Sequence, residues 1–233
     1  MNAVENLHYP FSLRLKILHS DSSDIFEMCN GGLRAAQGKY VVFTSGSDLF
    51  LNDFLQSLYS LAEENKADVV YPFKYALLLD NNANFDFEED VQNIDAKILT
   101  DEKPWEFEAA AYELNEQNLI LRLQGFLDGV FSPSAFNKLI RREFLIDNDI
   151  KFSPDTSEPQ WIFCLKCLCL AEKYIRIPQL LYVRLQKKNF EFEFDICRTV
   201  ASAEELEKFM ARMNFFNNDV KLCKAILSHV LKK

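Results

Sequence analysis

Apolar and polar residues recur along this chain with two different periods, and the switches between them outline a layered α/β domain. Residues 13–18 read Leu-Arg-Leu-Lys-Ile-Leu, the alternation of a strand. Ser20-Asp-Ser-Ser then offers caps for a helix over about 24–37, and residues 40–43 form the short apolar run of a buried strand. Leu51, Phe54, Leu55, Leu58 and Leu61 follow at helical spacing, and Ala67-Asp-Val-Val-Tyr-Pro predicts another strand, stopped by Pro72.

The rhythm then breaks. Residues 80–101 are rich in Asn, Asp and Glu, have no clear period, and predict a surface excursion. Order resumes over 116–127, and the spacing in 135–146 predicts an amphipathic helix with Lys138, Arg141 and Arg142 on its solvated face. The run 161–171 is apolar on nearly every side, so a helix there must be wrapped by protein. Phe190-Glu-Phe-Glu-Phe194 alternates as a half-buried strand would. In the tail, Ser202-x-x-Glu205 has capping-box spacing and puts Leu206, Phe209, Met210, Met213 and Phe216 on one face, with a second helix over 219–231. The chain divides into a core domain, 1–195, and a helical appendage, 196–233, whose apolar face packs on the domain or serves a protein partner.

Composition narrows the classes. With 48% hydrophobic residues among 233 there is enough apolar material for a full core. The 26 basic and 35 acidic residues leave a net charge of −9 with no Lys/Arg stripe, which excludes an electrostatic grip on nucleic acid. Six cysteines sit mostly inside apolar runs, without the spacing of a secreted disulfide scaffold, and the first residues are not a signal sequence; a reducing cytoplasm is the expected compartment. No apolar run reaches the roughly 20 residues of a membrane span, so membrane contact is expected only peripherally, at the inner face, or through a partner. Cys164 and Cys167 share a helix face while Cys169 points away, and no second Cys-x-x-Cys completes a metal set, so core packing is expected. A Gly-x-Ser-x-Gly elbow is absent, which excludes that serine-hydrolase arrangement.

The candidate chemistry lies where the glycines gather. Four of the six glycines fall between Gly31 and Gly46, in Cys29-Asn-Gly-Gly-Leu-Arg-Ala-Ala-Gln-Gly-Lys-Tyr-Val-Val-Phe-Thr-Ser-Gly-Ser-Asp48. Glycine supplies positive φ and close approach, so helix, strand and a tight turn at Ser45-Gly46-Ser47 read as one unit. Asp48 then stands at the carboxyl end of a strand, where open α/β sheets bind ligands. The turn reads equally as a cap by Ser47 or Asp48 on the next helix, and both roles can hold together.

These residues resemble the family 2 glycosyltransferases of the GT-A type, whose hallmark is Arg-Asn-x-Gly-Leu, then Ala-x-Gly-x-Tyr, a hydrophobic strand, and Asp-Ser-Asp-Asp. Asn30, Gly32, Leu33, Ala36, Gly38, Tyr40, Phe43 and Asp48 match in order. A second block is similar as well: Asn137-Lys-Leu-Ile-Arg-Arg-Glu143, Ile150-Lys-Phe152, Phe163-x-Leu-Lys166, Ile175-Arg-Ile-Pro178 and Leu181-Tyr-Val-Arg184. The resemblance covers about 13–190 and implies a GT-A-like α/β fold, a nucleotide-sugar donor, a glycan or glycoconjugate acceptor in surface-polysaccharide assembly, and no redox cofactor. It places Asn30, Ser45, Ser47 and Asp48 at the donor, Lys138 and Arg141 at the acceptor or a phosphate, and Glu158 or Asp155 as the carboxylate that takes the acceptor's proton.

The chain departs from the pattern in four places. Ser45 and Ser47 replace the first two aspartates of the motif that holds magnesium or manganese, which leaves Asp48 as the metal carboxylate, and a neutral hydroxyl holds such a hard cation far more weakly. Pro159 or Gln160 falls where the family has its base aspartate. The family's first strand-helix unit has no counterpart in the few residues before position 13, and Cys29 replaces the family arginine. Two readings therefore stand: a transferase shortened at its amino end, and a catalytically inactive relative that keeps the fold as a binding or scaffold module.

Overall fold

The computed structural model describes residues 16–45, 48–51, 53–80, 97–100, 112–114, 119–129, 131–187, 195–214 and 219–231. Its frame is a mixed sheet with helices packed on both faces. In chain order the elements are α1 (Ile25–Ala35), β1 (Tyr40–Val42), β2 (Asp48–Phe50), α2 (Phe54–Asn65), β3 (Val69–Asp80), β4 (Lys97–Thr100), β5 (Tyr112–Leu114), α3 (Leu119–Leu127), β6 (Leu139–Arg141), α4 (Arg142–Asp147), α5 (Pro159–Leu170), β7 (Tyr174–Lys187), α6 (Ile196–Arg212) and α7 (Val220–Leu231). The strand order is β1-β6-β3-β7-β2, with β4 alongside β3 and β5 alongside β7. The spine is the parallel pair β3 and β7, paired from Val69 opposite Tyr174 to Asp80 opposite Lys187 with register shifts between Pro72 and Ala76. β6 runs antiparallel to both β1 and β3, and β2 runs antiparallel to β7.

Successive strand residues point to opposite faces, and the two faces carry two cores. Val70, Leu139, Ile175 and Ile177 meet Phe54, Leu58 and Ala62 of α2 on one face. Val69, Tyr71, Ile140 and Tyr174 meet α5 on the other, in a larger cluster that also takes in Leu206, Phe209 and Met210 of α6 and Leu222, Cys223, Ile226 and Val230 of α7. α5 is buried along its length, as its composition requires. Arg122 ties α3 to the end of α5 by donating to the carbonyls of Leu168 at 3.0 Å and Ala171 at 2.5 Å, groups that the helix end leaves unpaired. No helix among the described residues is long and apolar enough to cross a membrane.

Several local expectations are corrected. Residues 16–20 have no regular structure, and Ile17 and Leu18 are exposed; the rest of the strand expected there lies outside the described residues. α1 begins where expected, because the Asp24 carboxylate accepts from the N–H groups of Phe26 and Glu27. Gly31 and Gly32 lie inside α1, and neither they nor Gly38 has positive φ; at Gly38 a Cβ would stand 3.0 Å from the Tyr40 carbonyl oxygen, so close approach is what this glycine supplies. β1 is half-buried rather than buried, and Phe43 just beyond it is the residue that enters the core.

Asp48 opens β2 rather than capping a helix. β3 runs on past Pro72, where its pairing with β6 has already ended at Val70 and a register shift follows, so the missing N–H costs no ladder bond. Within 80–101, Lys97–Thr100 forms β4, and residues 81–96 lie outside the described part. The helix expected over 135–146 is a turn, then β6, then the short α4. Ser202 lies inside α6, which Asp195 caps instead. Phe190, Phe192, Phe194 and Phe216 lie outside the described residues.

Candidate functional site

β1 delivers the turn that carries Asp48. Beyond Val42 the Phe43 ring anchors the chain edge-on to Phe152 and Phe163, at 5.0 and 5.7 Å. The Asp48 N–H donates to the Ser45 carbonyl at 3.1 Å, and the Ser45 N–H donates back to Asp48 Oδ2 at 2.7 Å. Asp48 Oδ1 accepts from the Tyr182 phenol at 2.6 Å. Bonds to an ionised acceptor are short and strong, so the turn is locked at both carboxylate oxygens. Ser47, the remaining residue expected here, lies outside the described residues.

β6 sorts the two expected basic residues to opposite ends of the sheet. Leu139 pairs with Val42, so Asn137 and Lys138 lie at the carboxyl end of β1, the end from which the Asp48 turn leaves. Lys138 is fully buried rather than solvated, with Nζ 3.7 Å from the Tyr71 ring centroid and 3.4 Å from Asn137 Oδ1. Arg141 pairs with Tyr40 at the amino end of β1. Its guanidinium donates twice to Asp68 Oδ1, at 3.0 and 2.5 Å, and that bond holds its pKa above the ordinary arginine value. Asp68 Oδ2 accepts from the Glu172 N–H at 2.7 Å. Asn30 braces α1: its amide donates to the Phe152 carbonyl and accepts from the Phe152 N–H, both at 2.9 Å.

The other expected carboxylates lie between α4 and α5. Gln160 Oε1 accepts from the Ala135 N–H at 3.2 Å, which seats the start of α5 beside the segment leading to Lys138. Asp155 is exposed in the turn before it. Glu158 holds the N-cap position of α5 without capping it. Its side chain is only 11% exposed, and its Oε2 lies 3.6 Å from Nε2 of His229 on α7. Topology thus brings Asp48, Lys138 and the start of α5 to one end of the sheet, while hydrogen bonds join Asp48 to Ser45 and Tyr182 and a 3.6 Å contact sets Glu158 against His229. Sequence reasoning missed Tyr182 and His229. Tyr182 sits in a matched motif but its role depends on a partner 134 residues away, and nothing local marks His229.

Among the described residues no three of His, Cys, Asp and Glu gather as a metal set. The turn offers a single carboxylate whose two oxygens already accept hydrogen bonds, a donor set that does not fit the several hard oxygen ligands of a protein-held divalent cation. Burial pushes the thiols of Cys29 and Cys164 up to about 11 and that of Cys167 well above the ordinary value, so these are packing groups rather than ligands.

No protein-family model matches the chain. It is 26% identical over 207 residues to the uncharacterized glycosyltransferase EpsJ of Bacillus subtilis (strain 168), a match that covers 88% of this chain and 54% of EpsJ. Among solved structures it superposes on S. aureus TarS 1-349 with a TM-score of 0.55 at 17% identity, over 92% of this chain and 52% of that one. The complex of TarS 1-349 with UDP-GlcNAc gives 0.54 at 17% identity, over 87% and 50%. The chain therefore spans about half the length of these relatives. The likeness to TarS shows the fold, the mixed sheet flanked by helices, and the chain is glycosyltransferase-like in sequence and fold.

Proposed function

We propose that this chain is a GT-A-like, family 2 glycosyltransferase domain that moves a sugar from a nucleotide-sugar donor to a hydroxyl of a glycan or glycoconjugate acceptor in surface-polysaccharide assembly. The observation that carries the reading is Asp48, clamped by the Ser45 N–H and the Tyr182 phenol at the carboxyl end of β1, in a chain similar to EpsJ. The UDP-GlcNAc in the complex of TarS 1-349 makes a UDP-sugar the first donor to try. The lone pairs left on Asp48 accept from donor hydroxyls, and the buried Lys138 ammonium contributes fixed positive charge at the end of the sheet where the diphosphate rests.

The acceptor oxygen forms a bond to the anomeric carbon as that carbon's bond to the phosphate oxygen breaks, and the nucleoside diphosphate leaves with the electron pair. The acceptor's proton goes to a carboxylate of the segment before α5, Glu158 or Asp155. Arg141 and Asn30 hold the frame. The work takes place in the cytoplasm or against the inner membrane face.

A second reading has its own support: the segment from Ser45 to Asp48 holds one carboxylate, the mark of a relative that binds a donor without using it. Release of UDP from UDP-GlcNAc, followed with and without a glycan acceptor and manganese, separates them. Release that disappears in Asp48→Asn supports the transferase. Binding of UDP-GlcNAc without release supports the binding module.

A further inference from the structure

The segment that carries Asp155 and Glu158 is tied to both helices of the tail. On α6, the Ser202 hydroxyl accepts from the Ser157 N–H at 2.9 Å, the Arg198 carbonyl accepts from the same N–H at 3.2 Å, and Glu205 accepts from the Ser153 hydroxyl at 3.4 Å. Glu205 is itself fixed by an ion pair with Lys166 of α5. On α7, His229 reaches Glu158 at 3.6 Å and lays its ring on Trp161, with centroids 4.6 Å apart and planes 11° from parallel. Trp161 is in turn held against Phe126 of α3 at 5.0 Å, and the neighbouring Val230 is buried. An imidazole stacked on a buried indole has little rotational freedom, so its Nε2 edge has a set direction, and that direction faces the carboxylate.

We propose that His229 is a positioning residue for Glu158, which makes the last helix a working part of the acceptor side rather than an appendage. The proposal rests on the reading of Glu158 as the carboxylate that takes the acceptor's proton. The imidazole edge, 3.6 Å from Oε2, sets the direction of the carboxylate that takes the proton of the attacking hydroxyl. Without the imidazole that contact is gone, and a base displaced from the reacting atoms loses rate rather than donor affinity.

The test uses the full chain and UDP-GlcNAc turnover, with His229→Ala and His229→Gln, the latter retaining an N–H donor at similar reach. His229→Ala is expected to lower kcat by about tenfold or more with KM for UDP-GlcNAc unchanged, and His229→Gln to recover most of the loss. A fold-only role would lower both variants alike, in step with their unfolding midpoints. Independently of turnover, the imidazole nitrogen resonances of His229 should shift in Glu158→Gln. Resonances that stay put, or a folded His229→Ala with unaltered kcat, would overturn the proposal while leaving the transferase reading intact. A wild type that releases no UDP while the resonances do shift would remove the reading of Glu158 and the proposal with it.

Discussion

The Tyr182 phenol donates to Asp48 Oδ1 at 2.6 Å and so ties the turn after β1 to β7, across a pairing in which Tyr182 stands opposite Phe50. Tyr182 is buried and its ring lies 5.8 Å from that of Phe50. A hydrogen bond to an ionised group contributes about 1.5–3 kcal/mol, so Tyr182→Phe should lower unfolding stability by that order and weaken UDP binding at the same time. Urea unfolding and calorimetric titration of the same variant check both halves.

At the opposite end of the sheet, Asp68 gathers Arg141 and the N–H of Glu172 onto one buried carboxylate. The side chain of Arg141 is a third exposed, which places the cost of Asp68→Ala near the lower bound for a broken buried pair, about 2–3 kcal/mol. UDP affinity should be unchanged in protein that remains folded. A large loss of affinity would show that the two ends of β6 are not functionally separate.

The tail gives a pH prediction. Burial works to raise the Glu205 carboxyl, but the Lys166 ammonium and the Ser153 hydroxyl outweigh it and hold the folded-state pKa below the ordinary carboxylate value. A depressed folded pKa means stability that is present above the unfolded value, about 4.3, and is lost as pH falls through the lower folded one. Thermal unfolding should therefore favour wild type over Glu205→Gln at pH 7, with the gap closing toward pH 3.

Thiol chemistry follows burial. Cys197 is exposed, whereas Cys164, Cys167 and Cys169 are buried and burial raises all three. A thiol reagent at pH 8 should label Cys197 first in native protein and reach the α5 cysteines only on unfolding. Rapid native labelling on α5 would contradict the packing around that helix.

Much of this frame was legible because its signals are local. Asp24 stands immediately before the first turn it caps, and the apolar run of α5 leaves no polar face to turn to water. The failures come from distant partners. The spacing of Leu139, Ile140 and Leu145 fits a helix, and only β1 and β3, pairing on either side, make 139–141 a strand. Ser202 and Glu205 have the spacing of a capping box, yet Ser157 and Lys166 are what they serve. Lys138 reads as a surface charge until Tyr71 and Asn137 close over it. The site shows the same division: the Asp48 turn was visible in the glycine cluster, but its Tyr182 clamp and the His229 contact to Glu158 join residues 134 and 71 positions apart.

A donor site built on Asp48 is tested by calorimetric titration of the folded chain with UDP and UDP-GlcNAc, with and without manganese, alongside Asp48→Asn. Wild type should bind, manganese should change the affinity little, and Asp48→Asn, keeping the shape of the turn but not its charge, should bind about tenfold or more weakly, the order expected from one hydrogen bond to an ionised group. Folded wild type that binds neither ligand, or an Asp48→Asn variant that binds as well as wild type, would contradict a donor site there.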